Sequence, residues 1–299
     1  MPELPDIELY RSCLAKRITG QPLSQVKVLR PFFLRTFDPP VDALAGRTVE
    51  SIGRLGKRIV LEFGGGLFAV IHLMIAGRLR WQEKPINAGK IGLATITFPN
   101  GHLGITEASS RKRASLHVVQ GRDAVSALDP GGLDLFTATP EAFAEVLRSE
   151  NRTLKRALTN PRKFDGIGNA YSDEILFAAR LSPVRLTSSL SDEEVERLRT
   201  SAVETLKEWT DRLRVEFADA FPGPGDVTAF RPDFAVHGRF GMPCRVCGLP
   251  VQRIQYAENK TNYCAVCQNE GRLLADRALS RLLRSDWPKT IEAMLGDSG

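Results

Sequence analysis

Four of the five cysteines lie in two close pairs, and these pairs constrain the fold of the chain more than any other feature. Cys244 and Cys247 form one C-x-x-C pair, and Cys264 and Cys267 form a second pair, with sixteen residues between the two pairs. Four thiolates at this spacing can enclose a tetrahedral zinc ion with no open coordination position. We therefore predict one structural Zn²⁺ in a small ribbon, where the metal supplies folding free energy that a short hairpin lacks. Four unliganded cysteines are the alternative, and Cys13 is expected to be a small packing residue.

The composition favours a nucleic-acid partner and argues against a membrane. The 299-residue chain has a formal net charge of +6 and a pI near 9.2, and basic surface binds nucleic-acid phosphates. Four basic side chains surround the cysteine pairs. They are Arg239, Arg245, Arg253 and Lys260. No apolar run approaches the ~18 residues of a membrane-spanning helix, and the polar amino terminus lacks the apolar core of a signal peptide, so we expect a cytoplasmic protein.

The hydrophobic pattern of the first part of the chain predicts one helix followed by strands. Apolar residues step by three and four through 6–17, which predicts a helix that ends near Gly20. These residues are Ile7, Tyr10, Leu14 and Ile18. Strand-like alternation follows at 58–63 and 93–98, with a glycine-containing turn after each segment. Residues 1–125 are therefore expected to form a β-rich domain led by one helix.

Helical periodicity dominates the later part of the chain, first at 140–149 and then at 191–217. Ser191 and Glu194 have the spacing of a capping box at the start of the longer helix. A Pro/Gly-rich segment then reads as a linker to the cysteine-bearing module. The expected boundaries are a helical domain over 126–225, a zinc finger over 226–270 and a helical extension over 271–299.

The second residue of the chain is a proline, and an acid, Glu3, follows it. A small residue at this position normally allows removal of Met1, so the mature chain is expected to begin with the secondary amine of Pro2. An α-amino group has a pKa of about 7.7–8.0, and a fraction of it is therefore unprotonated and nucleophilic at neutral pH. The alternative is a flexible terminus in which Pro5 begins the helix.

Two glycine-containing turns carry further candidate residues. Gly166 and Gly168 allow a tight turn, and Asn169 can cap the helix that follows, which would leave backbone amides free for a phosphate. Lys57 follows Gly56 in a turn between two predicted strands. A plain helix connection and a solvated lysine are the respective alternatives.

Together these segments resemble the formamidopyrimidine-DNA glycosylase and endonuclease VIII family. The motifs that carry the resemblance span most of the chain. They are MPELPDIE at the amino terminus, LGKR at 55–58, IHLMIAGRLR at 71–80, LKRAL at 154–158, GIGNAYSDEILF at 166–177, FAVHGRFGMPC at 234–244 and the cysteine pairs. A Pro-Glu terminus, a GIGN turn and a zinc ribbon in this order are jointly specific to that family.

The resemblance implies an α+β multidomain fold with an N-terminal β-sandwich and flanking helices, a helix–two-turn–helix DNA-binding domain and a C-terminal zinc-ribbon finger. It implies a nucleoid-associated monomer that binds damaged double-stranded DNA between its halves. The implied activity is that of a bifunctional DNA glycosylase and abasic-site lyase of base excision repair. Pro2 would attack C1′ of a flipped nucleotide to form a Schiff base, with Glu3 as the acid/base residue and Lys57 as the general acid for elimination.

Other residues match the family by position. Lys155 and Asn169 match residues that hold DNA phosphates near the lesion, and Glu174 matches an acid of the helix–two-turn–helix region. Asp6 replaces the glutamate that usually closes the terminal motif. This substitution shortens the side chain by one methylene, and we expect its effect to be mild.

The segments that contact the damaged base pair depart from the family pattern. Residues 107–115 read EASSRKRAS, with Ser109 and Arg111 where the family has a gap-filling arginine and phenylalanine. The wedge methionine is also shifted, which leaves Ile75 or Met74 as the candidate wedge. Without an aromatic gap filler, we expect weaker discrimination of the opposite base.

A further departure lies in the ribbon. Asn259 replaces an arginine that the family associates with δ-elimination, and Lys260 is its neighbour. A neutral amide lacks the charge-assisted phosphate contact of a guanidinium. We therefore expect strand cleavage mainly by β-elimination.

A non-catalytic binder of abasic or distorted DNA is the alternative function, and a zinc-ribbon RNA-binding protein is a weaker one. Binding alone requires none of Pro2, Glu3 and Lys57, so their joint presence favours the enzyme. The apolar residues within 278–295 predict a short helix that packs on the body of the protein, and contact with a partner is the alternative.

Overall fold

The computed structural model describes residues 1–87, 89–256, 259–275, 282 and 287–296. The chain divides into two compact units. The first unit contains 1–130 and 207–228, and the second contains the described parts of 131–206 and 229–299.

The helices predicted at 6–17, 140–149 and 191–217 and the strands predicted at 58–63 and 93–98 agree with the structure to within two residues at each end. The described helices are α1 (Leu4–Ile18), α2 (Arg122–Ser126), α3 (Pro140–Arg148), α4 (Leu154–Leu158), α5 (Asn169–Ala178), α6 (Asp192–Glu216), α7 (Ala265–Asn269) and α8 (Ile291–Gly296). The strands are β1 (Gln25–Val28), β2 (Val49–Leu55), β3 (Arg58–Phe63), β4 (Leu67–His72), β5 (Gly77–Gln82), β6 (Gly92–Phe98), β7 (Gly101–Glu107), β8 (Ser115–Gln120), β9 (Gln252–Tyr256) and β10 (Asn259–Tyr263). None of the helices in the described part of the chain is both long and apolar enough to cross a membrane.

The first unit is a β-sandwich. One antiparallel sheet has the strand order β1-β6-β7-β5, and the other has the order β2-β3-β4-β8. Alternate residues of each strand face inward, as Ile59 and Leu61 do, and with the apolar face of α1 they form one core. Tyr10 is fully buried in this core, and its hydroxyl accepts a hydrogen bond from the amide of Leu79 at 3.2 Å. This bond fixes the first turns of α1 beside β5.

The segment 207–228 packs with the first unit, although the sequence suggested that the helical domain extends to 225. Leu213 of α6 packs with Leu9 and Cys13 of α1. Val227 is buried in the sandwich core. These apolar contacts make the Pro/Gly-rich segment part of the first unit rather than a free linker. Cys13 is 3% exposed, in agreement with the predicted packing role.

The second unit begins with the helices α3 to α5. Phe143 and Phe164 pack with ring centroids 5.0 Å apart. An isolated bridge between Leu133 and Phe164 ties the start of the unit to the two turns that separate α4 from α5. The predicted capping box of α6 is confirmed, because the amide of Ser191 donates to Glu194 at 3.0 Å and the amide of Glu194 donates to Ser191 at 3.3 Å.

The cysteine-bearing ribbon consists of the β9–β10 hairpin and α7. Ile291 of α8 is fully buried against Tyr263 and Ala265 of the ribbon. The extension therefore packs on the protein through this helix, as predicted. Part of the helix predicted at 278–295 lies outside the described residues.

We expect Ile291→Ala to destabilise the ribbon by about 2–5 kcal/mol, because a cavity would replace a fully buried side chain. Leu295→Ala is the matched control, since Leu295 lies on the same helix but is 43% exposed; we expect it to stay within ~0.5 kcal/mol. Hydrogen exchange of the β10 amides measures the local free energy of opening. Equal protection in both variants would contradict the packing role of Ile291.

Candidate functional site

The amino terminus lies directly before the first turn of α1, and Glu3 is the N-cap of this helix. Pro2 is buried and Glu3 is only 3% exposed. The backbone amide of Glu3 donates to the carboxylate of Asp6 at 2.9 Å, and together the two residues form a capping box. Asp6 is therefore the capping acid of α1, and its shorter side chain suits that contact. The cap holds Pro2 at a defined place.

The terminal amine lies in a charged and largely buried setting. Burial lowers the pKa of the Met1 amine below its usual value, and the positive charges of Arg78 and Lys57 lower it further. The carboxylates of Glu3 and Asp6 oppose this shift. The lowered pKa increases the fraction of unprotonated amine at neutral pH. Removal of Met1 would transfer the terminal position to the nitrogen of the next residue, within the same turn.

Lys57 lies in the turn between β2 and β3, where Gly56 has a positive φ of 61°. The lysine is 8% exposed, so it is not the solvated side chain of the alternative interpretation. His72, at the end of β4, pairs with Arg58 across the sheet. Burial, followed by the charges of Arg58 and Lys57, lowers the pKa of His72 to about 4, so its ring is neutral at pH 7.

His72 was missed by the sequence analysis. Its signal was its place in IHLMIAG, where it follows a run of buried strand residues as a polar side chain. Strand pairing alone brings it next to the turn that holds Lys57, because β3 and β4 are neighbours. A neutral imidazole can donate a hydrogen bond to an anion without adding charge.

The turn between β4 and β5 presents an exposed apolar side chain. Met74 has a positive φ of 52°, a conformation that L-residues rarely adopt. Ile75 follows and is 59% exposed, whereas Met74 is partly buried. A side chain on Gly77 would place its Cβ 2.2 Å from the carbonyl oxygen of Leu73. The turn therefore requires its glycine and presents Ile75, of the two candidate wedge residues, to solvent.

The side chain of Glu107, at the end of β7, holds the loop between β7 and β8. Its buried carboxylate accepts hydrogen bonds from the amides of Arg113 at 3.0 Å and Ala114 at 3.2 Å. Within the loop, the amide of Arg111 donates to Ser109 Oγ at 3.1 Å. Arg111 and Arg113 are exposed. The loop therefore presents guanidinium groups to solvent, and hydrogen bonds to Glu107 hold its backbone.

In the second unit, Asp173 of α5 is the centre of a buried polar network. It pairs with the ammonium of Lys155 at 2.5 Å and with His237 Nδ1 at 2.7 Å. The backbone amide of Asn262 in β10 donates to the same carboxylate at 3.0 Å. Burial acts to raise the pKa of Asp173, but Lys155 and His237 outweigh it, and the pKa lies below its ordinary value.

The adjacent acid, Glu174, binds the segment that precedes the first cysteine pair. Its carboxylate accepts hydrogen bonds from the amides of Ala235 at 2.6 Å, Val236 at 3.0 Å and His237 at 2.8 Å. Burial raises the pKa of Glu174, although these three amides act in the opposite direction. The acid that matched the family by position is thus a structural bridge between α5 and the ribbon.

Three of the predicted DNA-binding residues lie together in this unit. Lys155 also donates to the carbonyl of Asn169 at 2.6 Å. The side-chain amide of Asn169 donates to the carbonyl of Lys260 at 3.0 Å. The prediction that Asn169 caps α5 is therefore wrong, because this side chain reaches the ribbon and Gly168 occupies the N-cap position without a side-chain bond. Asn259 and Lys260 are exposed at the start of β10.

The four paired cysteines converge. The sulfur atoms of Cys244, Cys247, Cys264 and Cys267 all lie within 4.8 Å of one another, and this cluster could hold a metal ion. The turn that contains each C-x-x-C pair brings its two cysteines together, and the second pair spans the start of α7. The amide of Cys267 donates to Cys264 Sγ at 3.5 Å. Four sulfur ligands leave no open coordination position, which is typical of a structural site.

The predicted residues thus form separate groups. The first unit holds Pro2, Glu3, Lys57 and the exposed side chains of the β4–β5 turn and the β7–β8 loop. The second unit holds Lys155, Asn169, Asn259, Lys260 and the cysteines.

Comparison with known proteins identifies the family. The chain matches the model of the formamidopyrimidine-DNA glycosylase N-terminal domain over residues 1–114 and that of the formamidopyrimidine-DNA glycosylase H2TH domain over residues 130–213. The chain belongs to the formamidopyrimidine-DNA glycosylase family.

Individual relatives align with this chain over nearly their whole length. The formamidopyrimidine-DNA glycosylase of Heliobacterium modesticaldum is 33% identical over 282 residues, which cover 90% of this chain and 100% of the relative. That of Bacillus cereus is 30% identical over 277 residues, which cover 90% and 99%. The Lactococcus lactis enzyme, solved in complex with abasic-site DNA, superposes with a TM-score of 0.79 at 25% identity and covers 89% of this chain and 99% of its own.

The family resemblance and the fold class predicted from the motifs are confirmed by these matches. Family membership makes the chain a DNA glycosylase of base excision repair.

The partly buried imidazole of His72 makes the stability of the glycosylase depend on pH. Because the pKa of His72 is about 4 in the folded protein and 6.5 in a model peptide, only the unfolded chain takes up this proton as the pH falls. The free energy of unfolding should therefore decrease between about pH 6.5 and pH 4. We expect His72→Gln to remove that part of the decrease, as measured by urea unfolding across this pH range. Parallel profiles for both proteins would show that His72 does not titrate in this way.

Proposed function

We propose that the chain excises oxidised or ring-opened bases from double-stranded DNA and then cleaves the strand as an abasic-site lyase, with the amine of Pro2 as nucleophile. The observation that carries this proposal is the capped amino terminus, where Pro2 is buried and where burial and the charges of Arg78 and Lys57 lower the pKa of the adjacent Met1 amine. A binding protein has no need of a nucleophilic amine. In the Lactococcus lactis structures, the related enzyme is bound to abasic-site DNA and to DNA that carries a substituted formamidopyrimidine.

In the proposed reaction, the Pro2 nitrogen forms a bond to C1′ of the damaged nucleotide as the bond from C1′ to the base breaks. The departing base takes up the proton that the Pro2 nitrogen loses. The bond from C1′ to the ring oxygen O4′ then breaks, a proton adds to O4′, and an open-chain Schiff base forms at C1′. Loss of a C2′ proton then allows the bond from C3′ to the phosphate oxygen to break, which is β-elimination. Glu3 would transfer the protons at the sugar, and Lys57 would serve as general acid for the elimination.

Other side chains would hold the DNA. Asn169 and Lys260, joined by a hydrogen bond beside the start of α5, would bind phosphates. Lys155 would act close to them, although Asp173 and the Asn169 carbonyl already use part of its donor capacity. Ile75 would enter the space left by the flipped nucleotide.

The exposed loop after β7 would contact the orphaned partner base. Arg111 lies there instead of an aromatic residue, and its side chain is exposed. Glu107 holds the backbone of this loop through hydrogen bonds. A guanidinium can stack on a base but lacks the apolar surface of phenylalanine. Weak selection of the opposite base follows from this exchange.

The cysteine cluster would hold one structural Zn²⁺. All four donors are sulfur atoms, and thiolate sulfur at tetrahedral spacing is the ligand set typical of zinc. Bound metal would fix the two knuckles and thereby the β9–β10 hairpin that carries Lys260. Double-stranded damaged DNA is the proposed partner, and a monomer is the proposed working form.

A borohydride trap tests the proposed function. We expect the protein with a free Pro2 terminus to form a covalent adduct with abasic-site DNA, since reduction fixes the Schiff base. The control is the same chain with two extra residues retained before Pro2, which blocks the amine and should give no adduct. DNA binding without an adduct or strand cleavage by either protein would instead support a non-catalytic binder.

Asn259→Arg tests how far strand cleavage proceeds. Asn259 is exposed at the first position of β10, so an arginine fits there without a packing cost. We expect the unmodified enzyme to accumulate β-elimination products and the variant to yield about tenfold more δ-elimination product, because hydrogen bonds to charged groups are about twice as strong as neutral ones. Gel separation of the cleaved ends measures both products. Efficient δ-elimination by the unmodified enzyme would overturn the prediction.

A further inference from the structure

Arg78, on β5 immediately after the β4–β5 turn, helps to lower the pKa of the terminal amine but has no assigned contact with the DNA in the reaction described above. Its Nη1 donates to the carbonyl oxygens of Gly77 at 2.7 Å and Ile75 at 3.3 Å. Its Nε is buried and has no hydrogen-bond partner. Within the described residues, Arg78 forms no ion pair with a carboxylate. A half-buried guanidinium without a counter-ion and with an unsatisfied donor is costly unless an anion binds it.

Arg78 shares the electrostatic environment of the terminal amine. The terminal amine lies within the electrostatic influence of two cations, Arg78 and Lys57, and of two acids, Glu3 and Asp6. With the amine unprotonated, as its attack requires, these two cations face two acids. A phosphate that approached Arg78 would bring a counter-charge to the guanidinium itself.

The geometry of the guanidinium suits a phosphate. An arginine has five N–H donors in a planar fork, and the two carbonyl contacts of Arg78 use a single nitrogen. These contacts hold the plane of the fork beside the turn that exposes Ile75. The register of the sheet places Arg78 opposite Thr106, and the next residue, Leu79, is bonded to Tyr10 of α1. The arginine is thus held between the turn and the helix that begins at the amino terminus.

We propose that Arg78 binds a phosphate of the DNA strand that Pro2 attacks and so positions that strand between the exposed Ile75 and the amine. This inference rests on the proposed function, because it takes DNA as the ligand and Pro2 as the attacking group. A phosphate at this place would also provide the counter-ion that the arginine lacks. Arg78 is accordingly a binding and positioning residue rather than a proton-transfer group.

The salt dependence of DNA binding tests the inference. The probe is a duplex with one tetrahydrofuran site, which resembles an abasic site and is not cleaved. We expect Arg78→Met to bind it about tenfold more weakly and to reduce the slope of log affinity against log salt concentration by about one, because one phosphate contact is lost. The control is Arg122→Met, whose side chain is 77% exposed and paired with Glu62 on the surface; its slope should match that of the unmodified protein. An unchanged slope in Arg78→Met would overturn the proposal. Arg78 would then only stabilise the β4–β5 turn through its hydrogen bonds to the backbone.

Arg78→Lys provides a second measurement should the methionine variant fail to fold. Lysine keeps the charge but lacks the fork, so we expect the unmodified slope, weaker binding and a single-turnover rate on abasic-site DNA reduced by about tenfold. Affinity and rate equal to those of the unmodified protein would overturn the proposal. The borohydride trap of the unmodified protein distinguishes failure of the proposed Pro2 catalysis from failure of the proposed phosphate contact of Arg78. A reduced slope with no adduct would refute Pro2 catalysis while retaining the phosphate contact of Arg78.

Discussion

Two adjacent carboxylates on α5 hold the second unit together. Asp173 joins α4 to the ribbon through Lys155 and Asn262, and Glu174 binds three consecutive backbone amides before the first cysteine pair. Loss of either acid would leave buried donors without partners, which costs more than a missing surface contact. The position of the cysteine cluster relative to α5 therefore depends on these two side chains. A metal would stabilise the ribbon, but the acids determine where it lies.

In the first unit, the main structural requirement is to fix the position of the amino terminus. Termini are usually poorly ordered, yet here the Glu3–Asp6 cap begins α1 within three residues of the amine. The buried face of α1 and the contact between Tyr10 and Leu79 then secure the helix to the sandwich. The same cap shows why Asp6 replaces glutamate without disturbing the terminus. The shorter acid still reaches the backbone amide that it must satisfy.

Features encoded by local pattern could be predicted from the sequence. The spacing of Ile7, Tyr10 and Leu14 and the paired cysteines depend on neighbours in the chain, so periodicity and motif spacing suffice. Contacts between distant segments could not be predicted in this way. His237 and Asn262 bind Asp173 across 64 and 89 residues, and no local signal marks such partners. The side chain of Asn169 was misjudged for the same reason, because a distant carbonyl competes with the local cap.

The left-handed turn at Met74 has a consequence for how the exposed isoleucine can act. A residue held at positive φ stores roughly 1–2 kcal/mol that a flexible loop would release by changing shape. Here the close approach of Gly77 to Leu73 and the guanidinium contacts of Arg78 leave the backbone little room to relax. The turn thus forms a stiff support for Ile75. In the proposed wedge role of this side chain, pressure from the stacked bases would deform the DNA before it deformed the turn.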